Sequence, residues 1–125
     1  MISVSDALSI HSLLIKRYGG SPGIRDQAIL EAALARPSQT FDNEPLYPGP
    51  VDKAAAVFES LIKGHPFIDG NKRVAYALLV VTLADFGHDL SADQDEKYRF
   101  VIAAAEGALS YDEIREWISG HIRVL

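Results

Sequence analysis

The sequence predicts an all-α bundle of about six helices with one irregular or hairpin flap near residues 37–50. Three observations carry this. Apolar residues recur at i+3 and i+4 spacing over most of the chain, the period of helices with one buried face. The stretch from Val74 to Phe86 is apolar on nearly every side, as a helix surrounded by others must be. Ser, Asp, Gly and Pro stand where helices start and stop. With 125 residues, 48% apolar and 23% charged, the composition is that of an ordinary globular protein, and residues 1–125 are expected to form a single domain.

Each element has its own warrant. Ser3 or Ser5 caps a first helix that runs to about Tyr18, with Leu8, His11, Ile15 and Tyr18 on one face. Gly19-Gly20-Ser21-Pro22-Gly23 ends it, because glycine permits positive φ and proline cannot continue a helix. Asp26 to Arg36 forms a second helix, ended by Pro37. Residues 37–50 carry Pro37, Pro45, Pro48, Gly49 and Pro50 among the apolar Phe41, Leu46 and Tyr47, which predicts an irregular loop or a short hairpin. A loop of that length is either a passive connector or a lid or clamp over a substrate.

From Val51 to Gly64, Ala54, Val57, Phe58, Leu61 and Ile62 make one buried stripe. The apolar helix from Val74 should be the central one, and Gly87 ends it. Ser91 with Gln94 reads as a capping box for a helix to about Glu106, and Ser110 with Glu113 as another for a last helix bearing Ile114, Trp117 and Ile118. The five acids from Asp85 to Glu96 form a solvated rim or a docking surface for a basic segment. His11 is expected to pack in the core or at its edge, and Trp117 in the core. His88 is expected exposed in a turn, and His121 at a helix end, where its cationic form suits the dipole. Tyr76 either packs or faces a site.

Charge and composition exclude several functions. Lys and Arg number 12 against 17 Asp and Glu, so the net charge is −5, which disfavours binding to nucleic acid or to a membrane surface. There is no cysteine, which excludes disulfides, thiolate zinc sites and cysteine nucleophiles. The first residues show no basic region followed by an apolar one, and the longest apolar run falls short of the ~20 residues of a membrane span. A cytoplasmic location is expected.

Chemistry concentrates in His65-Pro66-Phe67-Ile68-Asp69-Gly70-Asn71-Lys72-Arg73. Gly70 and Asn71 readily adopt turn or left-handed conformations, which turn successive N–H groups into one concavity. The helix that follows adds free N–H groups and a partial positive charge, and Lys72 and Arg73 add two full charges. The segment therefore predicts an anion site, most simply for phosphate. Histidine can accept a proton from an attacking hydroxyl near neutral pH, which suits His65. Asp69 is the hard oxygen ligand that Mg²⁺ takes alongside phosphate oxygens. Arg73 can clamp phosphate bidentately. These are the parts of phosphoryl or nucleotidyl transfer. The alternative is a helix-ending His-Pro, an Asp-Gly turn and a solvated first turn, but two cations there would oppose the helix dipole unless an anion offset them.

The same nine residues resemble the signature of the Fic/Doc superfamily, His-x-Phe-x-(Asp/Glu)-Gly-Asn-Gly-Arg, at His65, Phe67, Asp69, Gly70, Asn71 and Arg73. Lys72 replaces the second glycine and Tyr76 stands where a second arginine is expected. Both departures are similar to the death-on-curing (Doc) branch. Arg17-Tyr18-Gly19-Gly20, Pro22-Gly23, Ile24-Arg25-Asp26 and Ala35-Arg36-Pro37 resemble the N-terminal part of that family. The resemblance implies a toxin of a toxin–antitoxin pair that transfers the γ-phosphate of ATP, with Mg²⁺, to a threonine of elongation factor Tu and stops translation. His65 would be the general base and Asp69 would hold Mg²⁺. The backbone at Gly70 and Asn71 would cradle phosphate beside Lys72 and Arg73, and Phe67 would anchor the loop. The 37–50 segment would align the target peptide. Gly70, where some Doc sequences carry alanine, leaves transfer of AMP as an alternative. A weakly catalytic module that acts by binding its antitoxin is another. The self-inhibitory pattern (Ser/Thr)-x-x-x-Glu-(Gly/Asn) is met neither at Thr40 to Glu44, followed by Pro45, nor before Glu106-Gly107, where Ile102 stands. Inhibition is thus expected in trans, from an antitoxin segment.

Overall fold

The computed structural model describes residues 2–125. The helices run in order as α1 (Val4–Tyr18), α2 (Gln27–Ala35), α3 (Pro50–Gly64), α4 (Asn71–Ala84), α5 (Gln94–Ala105) and α6 (Tyr111–His121). Two small antiparallel pairs accompany them: β1 (Thr40–Phe41) with β2 (Glu44–Pro45), and β3 (His88–Leu90) with β4 (Ile122–Val124). Among the described residues no helix is long and apolar enough to cross a membrane.

The centre is a pair of helices rather than one. α4 buries Val74, Ala75, Leu78, Leu79 and Leu83, as its all-round apolar character predicts. α3, whose sequence shows a single stripe, is as enclosed and touches α2, α4, α5 and α6. Its Ala54, Ala55 and Ala56 are all fully buried, and small side chains let neighbouring helices approach on more than one side. Its one buried acid, Glu59, is bound by Arg36 at 2.9 Å and Lys63 at 3.0 Å. A run of stacked rings, Phe58, Phe100, Trp117 and His121, joins α3 to α5 and α6. Trp117 is half-buried at the edge of the core rather than inside it.

Three local expectations need correction. The cap of α5 is Asp93, whose side chain accepts from Glu96 N–H at 2.8 Å, not Ser91. Ser91 instead donates its backbone N–H to the carbonyl of His121 at 2.7 Å, at the junction with α6. His88 lies half-buried in β3 opposite Val124, not in an exposed turn. The acidic rim is partly paired: Asp89 meets Arg123 at 3.0 Å and Glu96 meets His121 at 2.7 Å.

Residues 37–50 form the predicted flap. Pro37 is buried in a tight turn after α2. β1 and β2 follow, joined by Asp42 and Asn43, both left-handed with φ of 52° and 65°. Two such residues make the turn that matches the twist of a hairpin. The base of the flap is tied down, since Arg36 Nε donates to the Tyr47 hydroxyl at 2.8 Å and Lys53 Nζ to the Tyr47 carbonyl at 2.6 Å.

Candidate active site

His65 ends α3 in the left-handed conformation (φ 48°, ψ 58°), unusual for a non-glycine residue. Arg25 holds it there by donating from Nε to the His65 carbonyl and from a terminal nitrogen to the Gly64 carbonyl, each at 2.7 Å. A guanidinium at that place also complements the negative end of α3. The residues after the 19–23 glycine turn then run antiparallel beside the motif. Arg25 and Asp26 N–H groups donate to the Pro66 carbonyl at 2.7 and 3.0 Å, and Ile68 N–H donates to the Gly23 carbonyl at 3.1 Å.

Phe67 is 1% exposed. The Asn71 side chain closes the loop beneath it: Oδ1 accepts from Phe67 N–H at 3.0 Å and Nδ2 donates to the Phe67 carbonyl at 2.9 Å. Those two bonds commit the amide to holding the loop, with one N–H and one lone pair left over. Gly70 is left-handed (φ 77°) and forms the N-cap of α4. The first bond of α4 runs from Val74 N–H to the Gly70 carbonyl at 3.0 Å. The N–H groups of residues 71–73 therefore lack helical partners and carry the positive end of the dipole.

Asp69 sits at this helix start with its carboxylate exposed. Oδ2 accepts from Ser21 N–H at 3.0 Å and Oδ1 from Gly70 N–H at 2.8 Å. These two bonds hold its carboxyl below the usual carboxylate range, so it stays ionised. The Gly70 N–H is thus spent inside the loop and is not open to phosphate. Gly20 is required beside Asp69, because a Cβ there would come within 2.8 Å of Oδ2.

The loop borders an open cleft of about 690 Å³. His65, Asp69, Gly70, Asn71, Lys72 and Arg73 all line it. Tyr18 of α1, Tyr76 of α4, and Lys97 and Tyr98 of α5 line it as well. Arg73 lies over the Tyr18 ring at 4.2 Å and Lys97 over the Tyr76 ring at 4.7 Å. Burial, with Asp89 nearby, raises the Tyr76 phenol above its ordinary value. Tyr76 thus faces the cleft while remaining half-buried.

Four further residues contribute to the site without a signal in the motif itself. Arg25 and Ser21 act through backbone geometry that no spacing reveals. Lys97 reaches the cleft from a helix distant in sequence. His11, placed in the core as expected, also touches the motif: its ring stacks on Phe67 at 3.8 Å and its Nε2 lies 2.8 Å from the Asp69 carbonyl. Its position on the apolar face was the available signal.

Among the described residues no group of three or more His, Asp or Glu side chains could hold a metal by itself. Asp69 nevertheless fits Mg²⁺. Each of its oxygens keeps acceptor capacity beyond one N–H bond, and Mg²⁺ is commonly held by one or two carboxylates together with substrate phosphates.

Comparison with known proteins follows the same residues. The family profile described as "Fic/DOC family" matches residues 1–83. "Toxin Doc" of Mycolicibacterium smegmatis is 44% identical over 78 residues, covering 62% of this chain and 60% of that protein. "Protein kinase doc" of Escherichia phage P1 is 28% identical over 115 residues, 92% of this chain and 90% of that one. The matched profile takes in α1, α2, the flap, α3, the 65–73 loop and nearly all of α4, hence every contact described above that pins the loop. On that match, the chain belongs to the Fic/DOC family.

Proposed function

We propose that this protein is the toxin of a toxin–antitoxin pair and that it uses ATP and Mg²⁺ to phosphorylate a hydroxyl of a protein, a threonine of elongation factor Tu being the target to test. The observation that carries the reading is the cleft itself. A proton acceptor, His65, and an ionised carboxylate, Asp69, share it with a cationic helix start at Lys72 and Arg73. The relative named a protein kinase aligns across most of both chains and supports phosphate as the transferred group.

In this reading His65 takes the proton of the attacking hydroxyl. Its exposed position at the cleft gives a target side chain access. The free N–H groups at residues 71–73, with Lys72 and Arg73, face the negative charge of the nucleotide phosphates. Asp69 would hold Mg²⁺, which when bound neutralises phosphate charge and orients the transferred group. Phe67 anchors the loop that presents these groups. Arg73 can leave the Tyr18 face to make bidentate contact with phosphate oxygens. The flap, whose hairpin edges are exposed, aligns the target peptide. An antitoxin segment silences the site in trans.

The test is the intact mass of elongation factor Tu after incubation with this protein, ATP and Mg²⁺. A gain of one phosphoryl group is expected, with activity reduced ~10²–10⁴-fold in His65→Ala. His65→Asn is the cleaner control, since asparagine tolerates the left-handed backbone but cannot act as a base. A gain of one AMP would replace the kinase reading with nucleotidyl transfer. Undiminished toxicity of a folded His65→Asn variant would replace catalysis with binding.

A further inference from the structure

We propose that His11 of α1 is a positioning residue, which sets the Asp69–Gly70 peptide and through it both the Asp69 carboxylate and the start of α4. The inference rests on the proposed transferase reading for its effect on rate, but its structural part stands apart from it.

His11 is 4% exposed, and buried polar groups in folded proteins are hydrogen-bonded. Among the described residues its one long-range hydrogen bond is from Nε2 to the Asp69 carbonyl at 2.8 Å, a link across 58 residues of sequence. A carbonyl only accepts, so Nε2 carries the proton and donates. The other edge of the same peptide is also held, because Gly70 N–H donates to Asp69 Oδ1 at 2.8 Å. The plane of that peptide is therefore clamped from both sides. Rotating it would swing the Asp69 carboxylate away from Ser21 and would alter the left-handed turn at Gly70 from which α4 departs.

The ring does a second task. It lies 3.8 Å from the Phe67 ring with planes 7° apart, so it also covers the loop's apolar anchor. Gly70 packs directly against it: a Cβ at Gly70 would lie 3.6 Å from His11 Nε2 and 3.2 Å from the Ile15 side chain. A leucine or phenylalanine would fill this core position without burying a polar nitrogen. The N–H contact is what histidine adds.

Two variants separate these tasks. His11→Phe keeps a flat ring on Phe67 and loses the donor. His11→Gln keeps a donor and loses the ring. Each is measured for thermal unfolding, for amide hydrogen exchange at Gly70 and at Ile118 in α6, and for kcat and KM in the transfer assay with ATP and Mg²⁺. In His11→Phe, exchange at Gly70 should quicken at least tenfold relative to Ile118. Its kcat should fall about 10–100-fold, as for other losses of support behind a metal ligand, with the target KM little changed. His11→Gln should recover most of kcat even if it unfolds at a lower temperature. Wild-type exchange at Gly70 in His11→Phe, or a kcat that follows only the unfolding temperature across both variants, overturns the proposal. A wild-type protein inert toward every nucleotide would sink the transferase reading instead, and the exchange ratio would then decide the role of His11.

Discussion

The 65–71 loop and the 37–50 flap both connect helices and both are rich in Gly, Pro and Asn, yet their backbone bonds go to different places. Along the loop, His65, Pro66, Phe67, Ile68, Asp69 and Gly70 all have a backbone partner beyond the helical ladders of α3 and α4, supplied by α1, by residues 21–26 or by the Asn71 and Asp69 side chains. The flap is held at its base by Arg36 and Lys53, while its hairpin is exposed and Phe41 at the end of β1 is 76% exposed. A pinned loop preserves the geometry of reacting groups, and strain such as the left-handed His65 persists only where the surroundings over-determine it. A hairpin held only at its base leaves its edges free to pair with a peptide.

The largest expected difference comes from the two phenylalanines. Phe67→Ala removes a buried ring from between His11 and the core and should destabilise by about 3–5 kcal/mol, a large part of the ~5–15 kcal/mol typical of a whole protein. Phe41→Ala should change stability by less than about 0.5 kcal/mol. Its effect should appear in the KM for a protein target. Urea unfolding of the two variants checks this directly. Equal destabilisation would mean that the flap tip is packed as firmly as the loop, and the contrast would fail.

A smaller effect tests the base of the flap. Tyr47→Phe removes the acceptor of Arg36 Nε at 2.8 Å but keeps the ring that meets Tyr111 edge-on at 5.7 Å. Leaving one donor of a partly buried guanidinium unpaired should cost about 1–2 kcal/mol. The neighbouring Tyr111 phenol, pushed up to about 12 by burial and by Asp52, stays neutral at working pH and keeps donating to the Asp52 carbonyl. If Tyr47→Phe is neutral in urea unfolding, the flap base is held by Lys53 and packing alone.

Much of this contrast could be read from the sequence. The flap was legible because prolines and glycine break helical periodicity whatever lies around them. The content of the 65–73 motif was legible because its residue types have specific chemistry. Its support was not, because His11, Ser21 and Arg25 act on it through backbone carbonyls and N–H groups that any residue possesses. The β3–β4 pair was equally hidden: three-residue strands joined across some thirty residues leave no local period. The misassigned cap of α5 has a simpler cause. Ser91 and Asp93 are both good caps, and Asp93 prevails since Glu96 completes a reciprocal capping box with it while Ser91 is drawn to His121.

The α5–α6 wall lies between the two extremes, because it supplies Lys97 to the cleft but is held in part by a titratable contact. His121 stacks on Trp117 at 4.1 Å, with Nδ1 2.7 Å from the Trp117 carbonyl and Nε2 2.7 Å from Glu96. Both ring nitrogens face oxygen acceptors, which only the imidazolium satisfies fully. The Trp117 carbonyl first, then Glu96, raise its pKa in the folded state. A raised value means that the folded protein holds this proton more tightly than the unfolded chain. The stabilisation is therefore complete below the unfolded value near 6.5 and is lost as pH rises through the higher folded value. Glu96 is 45% exposed, so solvent screening keeps the effect below about 1 kcal/mol. Between pH 6 and pH 9 the wild type should lose at most about 4 °C in Tm relative to His121→Phe, which keeps the stack but cannot titrate. A parallel pH dependence in both proteins would mean that this wall, like the 65–71 loop, is held by packing and backbone bonds rather than by charge.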